Sequence, residues 1–338
     1  MRKKGSTMNK KGLILLSGGL DSTLAAKILL EQGIELEAIN FLTCFCTCTK
    51  KGCRNEATKV SEKFGLKLKI LNVTKEYLEV IQNPKHGYGR NLNPCLDCRI
   101  FMFKKAKEYM KEIGASFIVT GEVLGERPMS QRPNAIAIIE RESGLKGAIV
   151  RPLSAKHFEP STPEKEGIIE RDKLLDIQGR SRKQQIGLAQ HYNITDYPCP
   201  AGGCLLTDPG FASRARDLLR YNTFSMDNIL LLKVGRHFRL NPKDKLVVGR
   251  NEEENERILA MARPADMLFE PKDIPGPVGL LRGEGNSSEI LTFSSSIIAR
   301  YSDSKKETVI IYRRYPQDEK IEVAVLPAEE TVLQKVRL

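Results

Sequence analysis

The chain has 338 residues, 41% of them hydrophobic, with 54 Lys and Arg against 42 Asp and Glu and a formal charge of +12; this length predicts two domains, each burying its own core. Apolar runs such as Ile229 to Leu232 fall far short of the roughly 20 residues of a membrane span, and the basic stretch over residues 1–11 lacks an apolar h-region, so no membrane partner is expected and a loose tail on a cytoplasmic protein is. The charge is uneven: residues 211–338 hold 21 Lys and Arg against 19 Asp and Glu, leaving 33 against 23 in residues 1–210, so a polyanion larger than a nucleotide is expected on the first part.

In chain order, the apolar strand Leu13 to Leu16 runs into Ser17-Gly18-Gly19-Leu20-Asp21-Ser22-Thr23 and then a helical pattern from Ser22 to Gln32. The glycines let backbone approach phosphate oxygens, and the Ser17, Ser22 and Thr23 hydroxyls add donors beside the unpaired amides of a helix start. Asp21 fits among phosphates when it shares a Mg²⁺ with them. The pattern G-x-x-x-x-G-K-[ST] is absent, which disfavours cleavage at a terminal phosphate. Further strand patterns at Leu36 to Phe41, Leu66 to Val73 and Phe117 to Thr120 alternate with helical ones at Asn55 to Phe64 and Ile100 to Ile113. They predict a doubly wound parallel α/β domain over residues 12–208, with its ligand at the carboxyl ends of the strands.

Cys44, Cys46, Cys48 and Cys53 follow the second strand. They could hold a Zn²⁺ or be buried thiols, and strand alternation means that Cys46 need not join its neighbours. Asn93-Pro94-Cys95-Leu96-Asp97-Cys98 opens a helix whose N-terminus is expected to lower the thiol pKa values. Residues 156–172 read as an exposed excursion, a solvated loop or, alternatively, a lid over the active site. Arg180, Arg182 and Lys183 form a basic turn before a helix, suited to a phosphate of ATP or RNA. His86 and His191 fit no pattern. Cys199-Pro200-Ala201-Gly202-Gly203-Cys204 brings a second cysteine pair, and one of it with Cys95 and Cys98 makes three thiolates. Three suit a [4Fe-4S] cluster with one open iron, and the metal-free alternative is a persulfide on one cysteine resolved by another. Beyond Pro209, a helix at Phe211 to Tyr221 precedes strand-like runs at Asn228 to Val234, Phe238 to Leu240, Leu246 to Val248, Val278 to Leu281, Thr308 to Tyr312 and Ile321 to Leu326. These predict a smaller α+β domain over residues 209–338, with a capped helix at Glu252 to Ala262.

Ser17 to Ser22 resembles the signature of the PP-loop ATP pyrophosphatases. The Asn-Pro-Cys-x-x-Cys segment and the distant cysteine are similar to the tRNA 2-thiouridylases, and Thr120-Gly121-Glu122-Val123-Leu124-Gly125 with Arg151-Pro152-Leu153 to the tRNA 4-thiouridine synthetases. The resemblance implies an enzyme that adenylates a uracil oxygen of tRNA, releases pyrophosphate and lets sulfur displace AMP. Ser17, Gly18, Gly19, Asp21, Ser22, Thr23, Thr120 and Gly121 would then take ATP. Asp21, Cys95 and Cys199 would be catalytic, and Cys95, Cys98 and Cys199, with Cys204 as the alternative third, would hold the cluster. The sulfur donor would be sulfide or a persulfide carrier. Arg99 stands where the 2-thiouridylases usually have Asn, and too few residues precede Leu13 for the N-terminal RNA-binding region of the 4-thiouridine synthetases, so the target nucleoside is left open. Lys245 to Asn251 and Glu252 to Arg257 look similar to the RNA-binding module of the NFACT proteins, with Lys233, Arg236, Arg239, Lys243 and Lys245 as candidate contacts. Two other readings stand beside this one: a PP-loop ligase that joins an amine to a small molecule, and an RNA-binding factor with a regulatory nucleotide site. A homodimer is left open.

Overall fold

Short apolar runs between turns become the strands of a parallel sheet in the computed structural model, which describes residues 9–46, 53–197, 204–285, 287–304 and 306–338. The chain divides into two units, residues 1–207 and 208–338. In the first unit, strands β1 (Lys11–Leu15), β2 (Glu35–Leu42), β3 (Lys67–Asn72), β4 (Phe117–Thr120) and β5 (Ile149–Val150) pair in the order β3-β2-β1-β4-β5, all parallel. Helices α1 (Leu20–Leu30), α2 (Cys53–Phe64), α3 (Thr74–Gln82), α4 (Cys95–Glu112), α5 (Pro133–Ser143), α6 (Thr162–Lys165) and α7 (Lys183–His191) connect and cover them.

Alternation along β1 divides the core. Ile14 joins Leu24 of α1, Ala57 of α2 and Ala189 of α7 on one face, while Leu13 joins Phe103 and Ala106 of α4 and Ile139 of α5 on the other. Helices therefore lie on both faces, and strand order reverses between β1 and β4. That reversal opens a crevice at the carboxyl ends of these two strands, the usual ligand position in such sheets.

Several expectations are corrected. Lys11 belongs to β1 rather than to a tail, and residues 1–8 lie outside the described residues. Residues 156–172 are not a solvated loop. Ser161 and Glu164 form a capping box, Arg171 donates to the carbonyls of Ala155 and Phe158, and Ile169 enters the core. Helix α5, absent from the sequence reading, joins the core beside β1 through Ile139, and α3, also absent from it, packs on α4.

The second unit carries α8 (Pro209–Arg220), α9 (Met226–Leu231), β6 (Arg236–Arg239), β7 (Lys245–Val248), α10 (Glu252–Ala260), β8 (Met267–Pro271), β9 (Gly279–Arg282), α11 (Ser288–Arg300), β10 (Thr308–Arg314), β11 (Ile321–Val325) and α12 (Glu330–Val336). Its antiparallel sheet runs β11-β10-β8-β9-β7-β6, with Ile297 and Ile298 of α11 and Leu333 of α12 packed among Phe238, Leu246, Phe269 and Ile310. The run Asn228 to Val234 is the end of helix α9, to Leu231, and the turn after it rather than a strand. Ser225 accepts from the Asn228 amide as N-cap, and the run has no period-two alternation to hold it in a sheet. Asn251 caps α10 through the Glu254 amide at 3.0 Å, worth about 1 kcal/mol. Among the described residues no helix is long and apolar enough to cross a membrane.

Candidate active site

The crevice at the carboxyl ends of β1 and β4 is a cleft of about 420 Å³. Ser17, Gly19, Leu20, Asp21 and Ser22 line one side, Ile39, Asn40 and Phe41 of β2 the next, Thr120, Gly121 and Glu122 after β4 the floor, and Cys98, Arg99 and Met102 of α4 the far wall. Nucleotide-type and sulfur-type residues thus share one cavity.

The turn after β1 is built by close approach. Gly18 has φ +78°, and a Cβ there would lie 2.5 Å from the Ala57 nitrogen of α2, so only glycine fits. Gly121 meets the start of α1 in the same way, its absent Cβ 2.5 Å from the Ser22 nitrogen. Ser17 and Ser22 share a hydrogen bond of 3.1 Å between hydroxyls at the cleft wall. The buried Thr23 hydroxyl instead donates to the Gly19 carbonyl at 3.0 Å and stays out of the lining.

Basic residues converge on Asp21. Burial pushes its carboxyl up from the usual range, opposed by Arg182 and Arg127. Glu126, also in the lining, is raised by burial and by the neighbouring Asp21. Arg182 lines the cleft as the residue preceding α7, whereas Arg180 and Lys183 are exposed and outside the lining. The Leu124 carbonyl accepts from the Gly179 amide at 2.7 Å, which ties the Arg127 loop to the Arg182 turn. Ser154, just after Arg151-Pro152-Leu153, secures both: its hydroxyl accepts from the Leu124 amide at 3.0 Å and donates to the Ile177 carbonyl at 2.5 Å.

Glu122 is the pivot of the floor. Almost fully buried, it receives Arg99 of α4 on one oxygen and Arg151 on the other at 3.1 Å. Burial would raise its carboxyl, but the two guanidinium groups win and hold it below the usual range. The pair of arginines therefore locks α4 to the end of β4.

Five buried polar groups around this cleft lack hydrogen-bond partners of normal geometry: Asp21 Oδ1, Asn40 Oδ1, Arg99 Nε, Arg182 Nε and the Gln185 amide beside Asp21. Each such orphan costs about 1–3 kcal/mol. Four of the five belong to lining residues, so the natural account is a polar ligand that satisfies them together. The orphaned Asp21 oxygen among basic groups fits a cation bound with polyphosphate.

The cysteines gather at the other end. The Leu205 amide donates to the Phe45 carbonyl at 2.8 Å, the Cys204 and Cys46 backbones form an isolated antiparallel bridge, and the Leu92 amide donates to the Leu206 carbonyl at 3.0 Å. These bonds stitch residues 204–207 between the turn after β2 and the loop before α4, so Cys204 interacts electrostatically with Cys95, Cys98 and Cys46. The strand ends at Leu42, and the turn that follows brings the Cys46 backbone to Cys204. The expected lowering of thiol pKa is also corrected. Burial pushes Cys95 up, with Cys98 adding repulsion. Burial raises Cys98 against the pull of Tyr77 and Arg99, and pushes Cys204 up to about 12. Burial outweighs the helix terminus.

Cys199 and Cys48 lie outside the described residues. Among the described residues, no three His, Cys, Asp or Glu groups are placed to hold a single metal ion. Asn40, Glu122, Arg127 and Tyr77 were missed by residue-level reasoning; Glu122 alone had a signal, its place in the Thr120 to Gly125 segment.

The family described as Thiamine biosynthesis protein (ThiI) matches residues 7–184, just over half of the chain. The chain belongs to that family. Beyond the ThiI region, residues 235–336 match the NFACT protein RNA binding domain. Among curated relatives, the tRNA-specific 2-thiouridylase MnmA of Petrotoga mobilis is 32% identical over 34% of this chain and 36% of its own length. The probable tRNA sulfurtransferase of Lysinibacillus sphaericus is 33% identical over 43% of this chain and 35% of its own length. The chain thus spans about a third of the length of these relatives. Among solved structures, a 4-thiouridine synthetase–RNA complex with bound ATP aligns with TM-score 0.36 and 23% identity, covering 54% of this chain and 51% of that one. The U34-tRNA thiolase NcsA of Methanococcus maripaludis, solved with its [4Fe-4S] cluster, aligns with TM-score 0.32 and 19% identity over 68% of this chain and 72% of that one.

Proposed function

We propose that the chain is an ATP-dependent tRNA sulfurtransferase that adenylates a uridine carbonyl oxygen, releases pyrophosphate and replaces the oxygen with sulfur. One observation carries the reading: the cleft that holds the Ser17 to Ser22 turn also exposes Cys98. A binding factor or a small-molecule ligase has no need of a thiol group facing its nucleotide.

Amides at the start of α1, with the Ser17 and Ser22 hydroxyls, would hold the phosphates, and Arg182 and Arg127 would stabilise charge on departing pyrophosphate. The strip Ile39 to Phe41 offers an apolar wall and the orphaned Asn40 oxygen for the adenine. Mg²⁺ at Asp21 would neutralise the polyphosphate beside that carboxylate. Thr120 and Gly121 would set the depth of the reacting base above β4. Activation is needed because a carbonyl oxygen leaves poorly until it carries AMP.

The thiol group fits a sulfur carrier. Cys95 and Cys98, with Cys199 or Cys204, would hold a [4Fe-4S] cluster, which when bound supplies an open iron for sulfide. Without iron, the same cysteines would carry and resolve a persulfide. tRNA is the proposed substrate and sulfide or a persulfide carrier the donor.

The test combines anaerobically prepared protein, ATP, sulfide and unmodified tRNA. AMP and pyrophosphate should form in a tRNA-dependent way, and nucleoside mass spectrometry should show a thiouridine. ADP with phosphate would overturn the adenylation chemistry. Pyrophosphate release indifferent to tRNA would point to the small-molecule ligase instead.

A further inference from the structure

Tyr77 of α3 is 1% exposed and its hydroxyl has no hydrogen-bond partner of normal geometry. Phe45 packs edge-on against its ring and Phe101 tilts against it, each with centroids 6.0 Å away. Wedged between two rings, the phenol cannot swing its hydroxyl out to water. Phenylalanine would fill this place without stranding a polar atom.

The hydroxyl faces sulfur. Burial pushes the phenol up from its ordinary pKa, and the thiol groups acting on it are Cys98, which its hydroxyl approaches outside normal hydrogen-bond geometry, then Cys204 and Cys95. A thiol is a weak acceptor. An anionic sulfur atom is a stronger one, because charge-assisted hydrogen bonds exceed neutral ones. Arg99, the nearest cation to Cys98, is committed to Glu122.

We infer that Tyr77 is a positioning residue: its hydroxyl donates a hydrogen bond to an added anionic sulfur atom carried by the Cys95, Cys98 and Cys204 group, either sulfide of a bound cluster or the terminal sulfur of a persulfide. The inference rests on the sulfurtransferase reading and names a group that holds its sulfur. The orphaned donor is then explained as a place kept for an acceptor that arrives with loading.

The experiment compares wild type with Tyr77→Phe in the full chain, each prepared anaerobically without sulfur and after reconstitution with iron and sulfide or with a persulfide donor. Unloaded Tyr77→Phe should melt at or above wild type, by up to about 2 to 4 °C, and should gain less on loading than wild type does. Iron and sulfane analysis tells the sources apart. With a cluster, the reduction potential of Tyr77→Phe should shift negative, because hydrogen bonds to sulfur stabilise the reduced charge. With a persulfide, the variant should lose sulfane sulfur faster to added thiol. Site-specific 3-fluorotyrosine, a stronger donor of the same shape, should move either readout the opposite way and serves if Tyr77→Phe folds poorly. Equal loading gain with unchanged potential or lifetime in both variants overturns the role of Tyr77. A wild type that takes up neither cluster nor sulfane sulfur overturns the underlying sulfur reading as well, and that failure is visible without any variant.

Discussion

Replacing Asp21 by Asn removes a charge that the fold holds at a cost, since burial raises that carboxyl despite Arg182 and Arg127. Asp21→Asn should therefore leave the melting temperature unchanged or slightly higher while pyrophosphate release falls at least about 100-fold, the range for a lost electrostatic contribution to a transition state. Near wild-type release with Mg²⁺ would refute a cation role. Glu122→Gln should do the reverse for stability, because it leaves the buried Arg151 and the half-buried Arg99 without their carboxylate: a loss of about 3 kcal/mol in urea unfolding. Its pH sign follows from the lowered carboxyl. The contribution is present above the unfolded carboxylate pKa and lost as pH falls through the folded one. At this scale the sequence was partly readable. Ser17, Asp21 and Cys98 declared themselves by local pattern, whereas Glu122 acquires its role from Arg99 and Arg151, and Tyr77 from Phe45 and Phe101, partners that only folding supplies.

Among elements, β6 carries a pH dependence of its own. His237 donates from Nε2 to the Val234 carbonyl at 2.8 Å, while its Nδ1 is buried without a partner. Burial, with Lys245, Arg214 and Arg250 adding repulsion against the pull of that carbonyl, holds its pKa well below 6.5. The unfolded chain thus binds a proton near pH 6.5 that the folded unit refuses, so stability is lost as pH falls below that value, by at most about 1.4 kcal/mol per pH unit. Hydrogen exchange of β6 and β7 amides between pH 7.5 and 5.5 should show this slope, and His237→Gln should flatten it; an unchanged slope would place the titration elsewhere. The same strands hold the candidate RNA contacts Arg239 and Lys245, yet both turn inward onto Asp217, and Lys243 pairs with Glu284. Charge clusters in sequence do not reveal such internal pairing. Strands β1, β2 and β4 were legible because each is a largely apolar run buried on both faces, whereas β5, only two residues long, was not. Helix α9 was not, since Ile229 to Leu232 is equally apolar in either state and Ser225 decides by capping.

For the whole molecule, the two units have separate cores. Residues 208–338 alone should show a cooperative melt by circular dichroism, and residues 1–207 should keep ATP binding. If the first unit holds the main electrostatic footprint, it should also keep most of the salt-dependent RNA affinity while selectivity among tRNAs falls. Each lost phosphate contact should shallow the salt slope by about 0.7 to 0.9. Loss of all RNA binding on truncation would instead make the second unit the main RNA platform. The lock of Arg99 and Arg151 on Glu122 has an effect on fidelity. It sets a fixed gauge between Cys98 and the start of α1, so on the proposed reading a base must span that gap in a single pose. A base seated too shallowly would be activated yet out of reach of sulfur, and its adenylate would fall to water. The ratio of AMP released to thiolated product then measures how well each RNA fits the gauge.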